Sequence, residues 1–202
     1  FLQFISLKGT SINGSIDNHS YSSNSKLTYL LIFLVSKFLY SMNSENNDIY
    51  IKKVGLWKFE LSTEQYITYP IDEVFNFYSE AKNLNLITPP FLDFNILSQS
   101  SVIVEEGTIF KYRLKIHGVP VRWKSLIKEW LPPNKFVDIQ LRGPYLKWHH
   151  IHSFSSLGDK TKVTDKVEYI VPGGALIHNL FVKKDLLNIF NYRKIALNNF
   201  FN

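Results

Sequence analysis

The chain has no cysteine and a single methionine, Met42, among its 202 residues. The first absence excludes a disulfide framework, a thiolate nucleophile and any zinc site built on sulfur. It agrees with a reducing compartment, and a cytoplasmic location is the expectation. Equally absent are a phosphate-cradling glycine loop, a G-x-S-x-G nucleophile elbow, a zinc ribbon, a dinucleotide fingerprint and internal repeats. A long run of like charge is missing too. The formal net charge is +6, yet Lys183-Lys184 is the nearest thing to a basic run, so no nucleic-acid partner is expected.

What the chain does have is rings. Sixteen Phe, eleven Tyr and four Trp within a hydrophobic fraction of 45% suffice for the core of one domain. Rings beyond that need suit the walls of a pocket.

Residues 1–41 differ in kind from the rest. Residues 11–26 are rich in Ser and Asn, and the apolar run LTYLLIFLVSKFLY follows at 27–40. As a helix that run would measure about 21 Å, short of the roughly 30 Å hydrocarbon core of a bilayer. A signal-peptide reading conflicts with its distance from the chain start and its lack of a small-residue cleavage site. A surface anchor would want more cations on its polar face. The segment reads as a disordered or artefactual extension, with translation starting at Met42, and membrane contact is not required. A chain beginning at Met42 is expected to melt at an unchanged temperature.

Residues 55–202 read as one monomeric α+β domain. KFELSTEQYIT (58–68) is a strand; Pro70-Ile71-Asp72-Glu73 opens a helix that the spacing of Val74, Phe75, Tyr78, Ala81, Leu84 and Ile87 extends toward Thr88-Pro89-Pro90. Strands then follow at 94–98, 109–117, 121–130, 135–141, 147–154 and 161–171, parted by Gly, Pro and Asn turns. That is an antiparallel meander, giving about seven strands in all. After Pro172-Gly173-Gly174 the period changes: Leu176, Leu180, Leu187, Phe190, Leu197 and Phe201 form one stripe of a long amphipathic helix. Gly173-Gly174 reads as its flexible joint. A curved sheet gripped by one long helix leaves a cavity between them.

The stretches ITPPF (87–91), EGTIFKYRLKIHGVPVRW (106–123), EWLPPNKFVDIQLRGPY (129–145), WHHIHSF (148–154), DKVEYIVPGG (165–174) and IFNYRK (189–194) resemble the SRPBCC ligand-binding proteins. These belong to the START-like, helix-grip superfamily, with polyketide cyclase and coenzyme-Q-binding START relatives. The resemblance covers about residues 57–200. It implies a helix-grip fold, with a short helix pair after the first strand, and a buried small-molecule pocket. It does not imply one chemistry, because the superfamily includes carriers, receptors and some enzymes.

WHHIHSF holds the densest polar chemistry in the chain. Strand alternation puts Trp148, His150, His152 and Phe154 on one face, which the rings mark as interior. A hairpin centred on Gly158-Asp159 pairs His152 with Asp165, His150 with Val167 and Trp148 with Tyr169. Four roles fit. The two histidines could ligate a metal with Asp165, although no further histidine is clearly on that face, and neither metal nor cofactor is expected. His152 and Asp165 could be a general-base dyad of a cyclase or dehydratase, though no nucleophile or oxyanion motif accompanies them. The pair could hold the polar end of an apolar ligand, or simply lock the sheet. The favoured expectation is a cavity for a hydrophobic small molecule or lipid with a polar end, lined by Tyr112, Trp123, Trp148, His150, His152, Asp165 and Tyr169. The alternatives are the cyclase or dehydratase and a membrane-associated lipid or quinone carrier. The faces of Asp138 and Gln140 stay open, because they depend on whether the loop at 142–145 is odd or even in length.

Overall fold

Eight stretches become strands of one antiparallel sheet in the computed structural model of the chain, which describes residues 49–202. The strands are β1 Ile49–Lys53, β2 Lys58–Ile67, β3 Asn95–Gln99, β4 Ile109–Ile116, β5 Val119–Leu131, β6 Lys135–Arg142, β7 Lys147–Leu157 and β8 Lys160–Ile170. Their order is β1-β2-β8-β7-β6-β5-β4-β3. Strands β3 to β8 are the expected meander, and β2 pairs with β8 from Lys58↔Ile170 to Ile67↔Thr161. The eighth strand, β1, escaped the sequence reading because it is five residues long and buries only Ile49 well. The readings of residues 1–41, including the start at Met42, lie outside the described residues.

Register shifts at Lys124/Ser125 and Ile127/Glu129 interrupt the β5–β6 ladder. Bulges of this kind bend and coil a strand, which lets the sheet wrap a helix instead of lying flat. Helix α1, Ile71–Ser79, carries Asp72 and Glu73 in its first turn and buries Val74, Phe75 and Phe77. It ends eight residues earlier than its apolar spacing predicts. The chain continues as short 3₁₀ turns at Ala81–Asn85 and Pro90–Leu92. Local side chains account for the change: Asn83 Nδ2 donates to the Phe77 carbonyl at 2.9 Å and Thr88 Oγ1 to the Leu84 carbonyl at 2.6 Å. Such bonds compete with a regular helical ladder.

The C-terminal segment runs as α2 Gly174–Ile177, a π-helical turn His178–Val182 and α3 Lys183–Phe201. Phe190, Leu197 and Phe201 are buried as the stripe predicts, but Leu176 and Leu180 are exposed. The wider π turn inserts extra residues into the helix and shifts the phase of everything before it. His178 takes the inward position that Leu180 was expected to fill. The long helix is held at both ends. Leu186 and Phe190 pack with Leu61, Val167 and Tyr169; Leu197 and Phe201 pack with Val74, Phe77 and Phe154. Gln65 Nε2 adds hydrogen bonds to the Lys194 carbonyl at 3.0 Å and to Asn198 Oδ1 at 2.7 Å. The result is an α+β helix-grip arrangement.

Gly173 and Gly174 are not a flexible joint. Both have positive φ, +80° and +64°, and a Cβ on Gly174 would lie 2.8 Å from Trp57 Cδ1. The pair is a rigid corner that only glycine can turn. Gly174→Ala should therefore cost about 1–2 kcal/mol from the backbone alone, read as a lower denaturation midpoint; an unchanged midpoint would show that the corner can relax.

Candidate functional site

Between the concave sheet face and the C-terminal helix lies a cavity of about 830 Å³. Its floor comes from alternate residues of β4 to β7, because only every second side chain of a strand reaches the inner face. Phe110, Tyr112 and Leu114 come from β4, Trp123 and Ser125 from β5, and Asp138 from β6. Trp148, His150 and His152 come from β7, while Tyr78, Phe190 and Arg193 close the helical side. Phe91 and Phe181 are both exposed and line the cavity as well, so they mark its mouth. Beside them His117 Nε2 lies 2.8 Å from Asp185 Oδ2, joining the β4–β5 turn to α3.

The register settles the faces left open by the sequence. His152 pairs with Asp165, His150 with Val167 and Trp148 with Tyr169, as expected. On the other side of β7, Asp138 stands opposite His150 and Phe136 opposite His152. Asp138 therefore shares the inner face, and four titratable groups meet. Asp165 Oδ1 lies 2.9 Å from His150 Nε2 and 2.7 Å from His152 Nδ1. Asp138 Oδ2 lies 3.2 Å from His152 Nε2 and 3.5 Å from His150 Nδ1. The 2.7 Å contact is short but poorly aligned as a hydrogen bond, since His152 Nδ1 has no directed partner. It is mainly ionic. His150 was expected to face only Val167, yet its ring spans to Asp165, because a diagonal neighbour on the same face is within reach of a long side chain.

Burial and pairing act in opposite senses on these groups. Burial alone would raise the Asp165 carboxyl; the His152 charge, its close contact and the bond from His150 outweigh it and hold the group well below the usual carboxylate range. Asp138 follows the same logic: burial raises it, but its bond to His152 and the charges of both histidines leave it lowered. For His152, burial lowers and the two carboxylates more than reverse that, so its pKa is raised. For His150, burial and the neighbouring His152 charge prevail over the carboxylates, and its pKa is lowered. The cluster thus favours charge on both carboxylates and favours a proton on His152 over one on His150. Asp138 keeps 20% of its side-chain surface, which faces the cavity.

Five of the seven predicted lining residues reach the cavity: Tyr112, Trp123, Trp148, His150 and His152. Trp123 and Trp148 meet edge to face at 5.4 Å, and Tyr112 contacts Ser125 through its hydroxyl at 3.4 Å. Asp165 does not line the wall but sits behind the histidines, 5% exposed. Tyr169 does not line it either. Its hydroxyl bonds His178 Nε2 at 3.0 Å, and His178 stacks on Phe59 with ring centroids 3.6 Å apart. It fastens the start of the helix to the sheet, a role invisible without knowing that His178 faces inward.

The sequence leaves Asp138 open and misses two polar residues beside the histidines, Tyr78 and Arg193. Asp138 hung on loop parity. Tyr78 read as core in a helical stripe, yet its hydroxyl is buried without a partner, and burial followed by the Asp165 charge raises its pKa. Arg193 carries a signal that could have been read: it sits three residues after Phe190 and four before Leu197, a lone cation on the apolar stripe. Its guanidinium carbon lies 5.0 Å from the Phe190 ring centroid, and its buried Nε has no hydrogen-bond partner.

No family model and no curated protein matches the sequence. Solved structures do match. A protein from Arthrobacter aurescens, at 12% identity, superposes with a TM-score of 0.58 over 75% of this chain and 92% of its own. Protein CV1439 from Chromobacterium violaceum gives a TM-score of 0.57 at 10% identity, covering 70% of this chain and 96% of its own. Protein Ms6760 from Mycobacterium smegmatis gives 0.55 at 11% identity, over 75% and 96%. At such identities the likeness establishes a shared architecture, a large antiparallel sheet with a C-terminal helix, and the chemistry of the site must be argued from its own residues.

Proposed function

We propose that this chain binds an apolar small molecule with a polar end, in the manner of SRPBCC ligand-binding proteins. The observation that carries this reading is the distribution of polarity within the cavity. Most of its wall is Phe, Leu, Ile, Val and Trp, while Asp138, His150, His152, Tyr78 and Arg193 converge at one region. An apolar cavity with a few convergent polar groups suits a ligand that is mainly hydrocarbon and is oriented by one headgroup. Among the described residues Tyr78 Oη and Arg193 Nε are both buried without partners, so a headgroup oxygen that accepts hydrogen bonds would satisfy them. No described helix is long and apolar enough to cross a membrane.

Native mass spectrometry of the purified chain should detect a retained small molecule, or anilinonaphthalene sulfonate should bind saturably. Trp123 and Trp148 in the wall supply an intrinsic fluorescence readout. Ile116→Trp, which projects a large ring into the cavity, should weaken that binding by about tenfold, or about 1.4 kcal/mol. The reading fails if no ligand is retained and the dye binds neither saturably nor differently in the variant.

A second reading, general acid–base catalysis of the cyclase or dehydratase type, is favoured by one observation. Asp165 lies behind His152, whose other nitrogen, Nε2, meets Asp138 on the cavity wall, so the imidazole is held between two carboxylates in an orientation an acid–base histidine can use. Turnover of a hydroxylated polyketide-like substrate that is lost in His152→Ala would establish it.

A further inference from the structure

We propose that Asp138, His150 and His152 form a binding site for a first-row divalent transition ion, zinc being the simplest case, with Asp165 as the supporting carboxylate behind both histidines. One oxygen and two imidazole nitrogens, one from each residue, lie within 4.8 Å of one another. An ion with bonds of about 2.0–2.1 Å in tetrahedral geometry holds its ligand atoms about 3.3 Å apart. Asp138 Oδ2 is 3.2 Å from His152 Nε2 and 3.5 Å from His150 Nδ1. Two of the three donor pairs are therefore already at ligand spacing and the third lies within 4.8 Å; the rings, with centroids 3.7 Å apart, would splay to admit an ion while the strands stay in place.

The rear of the site is organised in the same sense. His150 presents Nδ1 to that point and His152 presents Nε2, and the opposite nitrogen of each ring meets the same oxygen, Asp165 Oδ1, at 2.9 and 2.7 Å. Histidine ligands characteristically direct their second nitrogen to a carboxylate or carbonyl, which sets the tautomer and strengthens the donor. Here one carboxylate serves two rings, through a hydrogen bond to His150 and an ionic contact to His152. Charge agrees as well: two carboxylates, two neutral imidazoles and one divalent ion sum to zero, which lowers the cost of burial.

Two nitrogens and one oxygen suit zinc, iron or cobalt better than calcium or magnesium, which prefer all-oxygen shells. Three protein donors leave at least one coordination position open, and Asp138, His150 and His152 all line the cavity. An ion held there would present that position to whatever occupies the cavity. In the sequence, where no metal is expected, Asp165 is the possible third ligand; the β6–β7 register puts Asp138 in that place and Asp165 behind.

The test uses the full chain stripped with a chelator and then titrated with zinc or cobalt ions alone. One ion per chain should bind, and cobalt should develop the visible absorption of a four- or five-coordinate site. Asp165→Asn should weaken zinc by about 10–100-fold, and Asp138→Asn, His150→Ala and His152→Ala by more. His149→Ala, altering a neighbouring histidine on the opposite face, should change nothing. Circular dichroism establishes that each variant is folded, and the wild-type stoichiometry and cobalt spectrum stand without any variant. The proposal is overturned if the wild type binds neither ion with defined stoichiometry, or if His149→Ala weakens binding as much as His152→Ala. Cavity binding of anilinonaphthalene sulfonate is measured without metal, so the failure of one reading leaves the other intact.

Discussion

Asp165→Asn should lower the stability of the metal-free protein by about 3–5 kcal/mol at neutral pH, the usual cost of removing one partner from a buried charge cluster. Asp165 is 5% exposed and meets both imidazoles through a single oxygen. An amide in its place can accept from one ring, but it carries no charge to balance a proton on His152, whose pKa is raised in the fold. Coulomb attraction inside a dry sheet is much stronger than at the surface, so the loss is not offset by water. Glu60 is the instructive contrast. It pairs with Lys52 and Lys166 at 2.9 and 3.0 Å, yet those lysines are 66% and 47% exposed. Lys52→Ala should cost well under about 1 kcal/mol. Urea denaturation of the two variants beside the wild type measures both. A loss below 1 kcal/mol for Asp165→Asn would mean that the carboxylate does not organise the cluster.

The stability of the metal-free protein should peak near the ordinary histidine pKa, at about pH 6.5, and fall on both sides. His152 has a raised pKa in the fold, so its contribution is full below about pH 6.5 and is lost as pH rises through the folded value. Asp138 and Asp165 are lowered, so theirs is present above about pH 4 and lost as pH falls through their depressed values. Reading the sequence alone, with only His152 and Asp165 paired, gives a broad maximum between those limits. His150 narrows it. Its pKa is lowered, so below about pH 6.5 the unfolded chain takes up a proton that the folded one refuses, and stability declines from there downward. His152→Gln should flatten the decline between pH 7 and 9, and His150→Gln the decline between pH 6.5 and 5. Tyr78 faces the same cluster, and burial raises its pKa, so it keeps its proton in that interval. Urea-derived stabilities at half-unit pH steps would reveal the curve. Stability that rises steadily from pH 7 to 9 in the wild type would show that His152 carries no proton in the fold.

Much of the architecture was written locally. Alternation in 58–68, 147–154 and 161–171 marked strands because a half-buried strand must send every second side chain inward. Gly158-Asp159 set the β7–β8 register, since a two-residue turn leaves only one pairing for the residues that follow it. His152 opposite Asp165 followed from that turn alone. The aromatic and aliphatic stripe from Leu176 to Phe201 marked the gripping helix for the same kind of reason, a 3.6-residue period with one apolar side.

Tertiary structure decided what depended on contacts between distant segments. Asp138 could point either way until the Arg142–Tyr145 connection fixed the β6–β7 register, and one residue of slip would have sent it outside. Leu176 and Leu180 lay on the predicted stripe, but the π turn at His178–Val182 rotated them outward and turned His178 in toward Tyr169 and Phe59. Tyr169, on the inner face by parity, became a fastening instead of a cavity wall for that reason. The histidine–aspartate square is the clearest case. Each residue type, and the face of every member but Asp138, can be read along the chain. Whether four ionisable groups close around one point depends on how far the sheet coils, and that is set by bulges in β5 and by a helix packed some forty residues away in sequence.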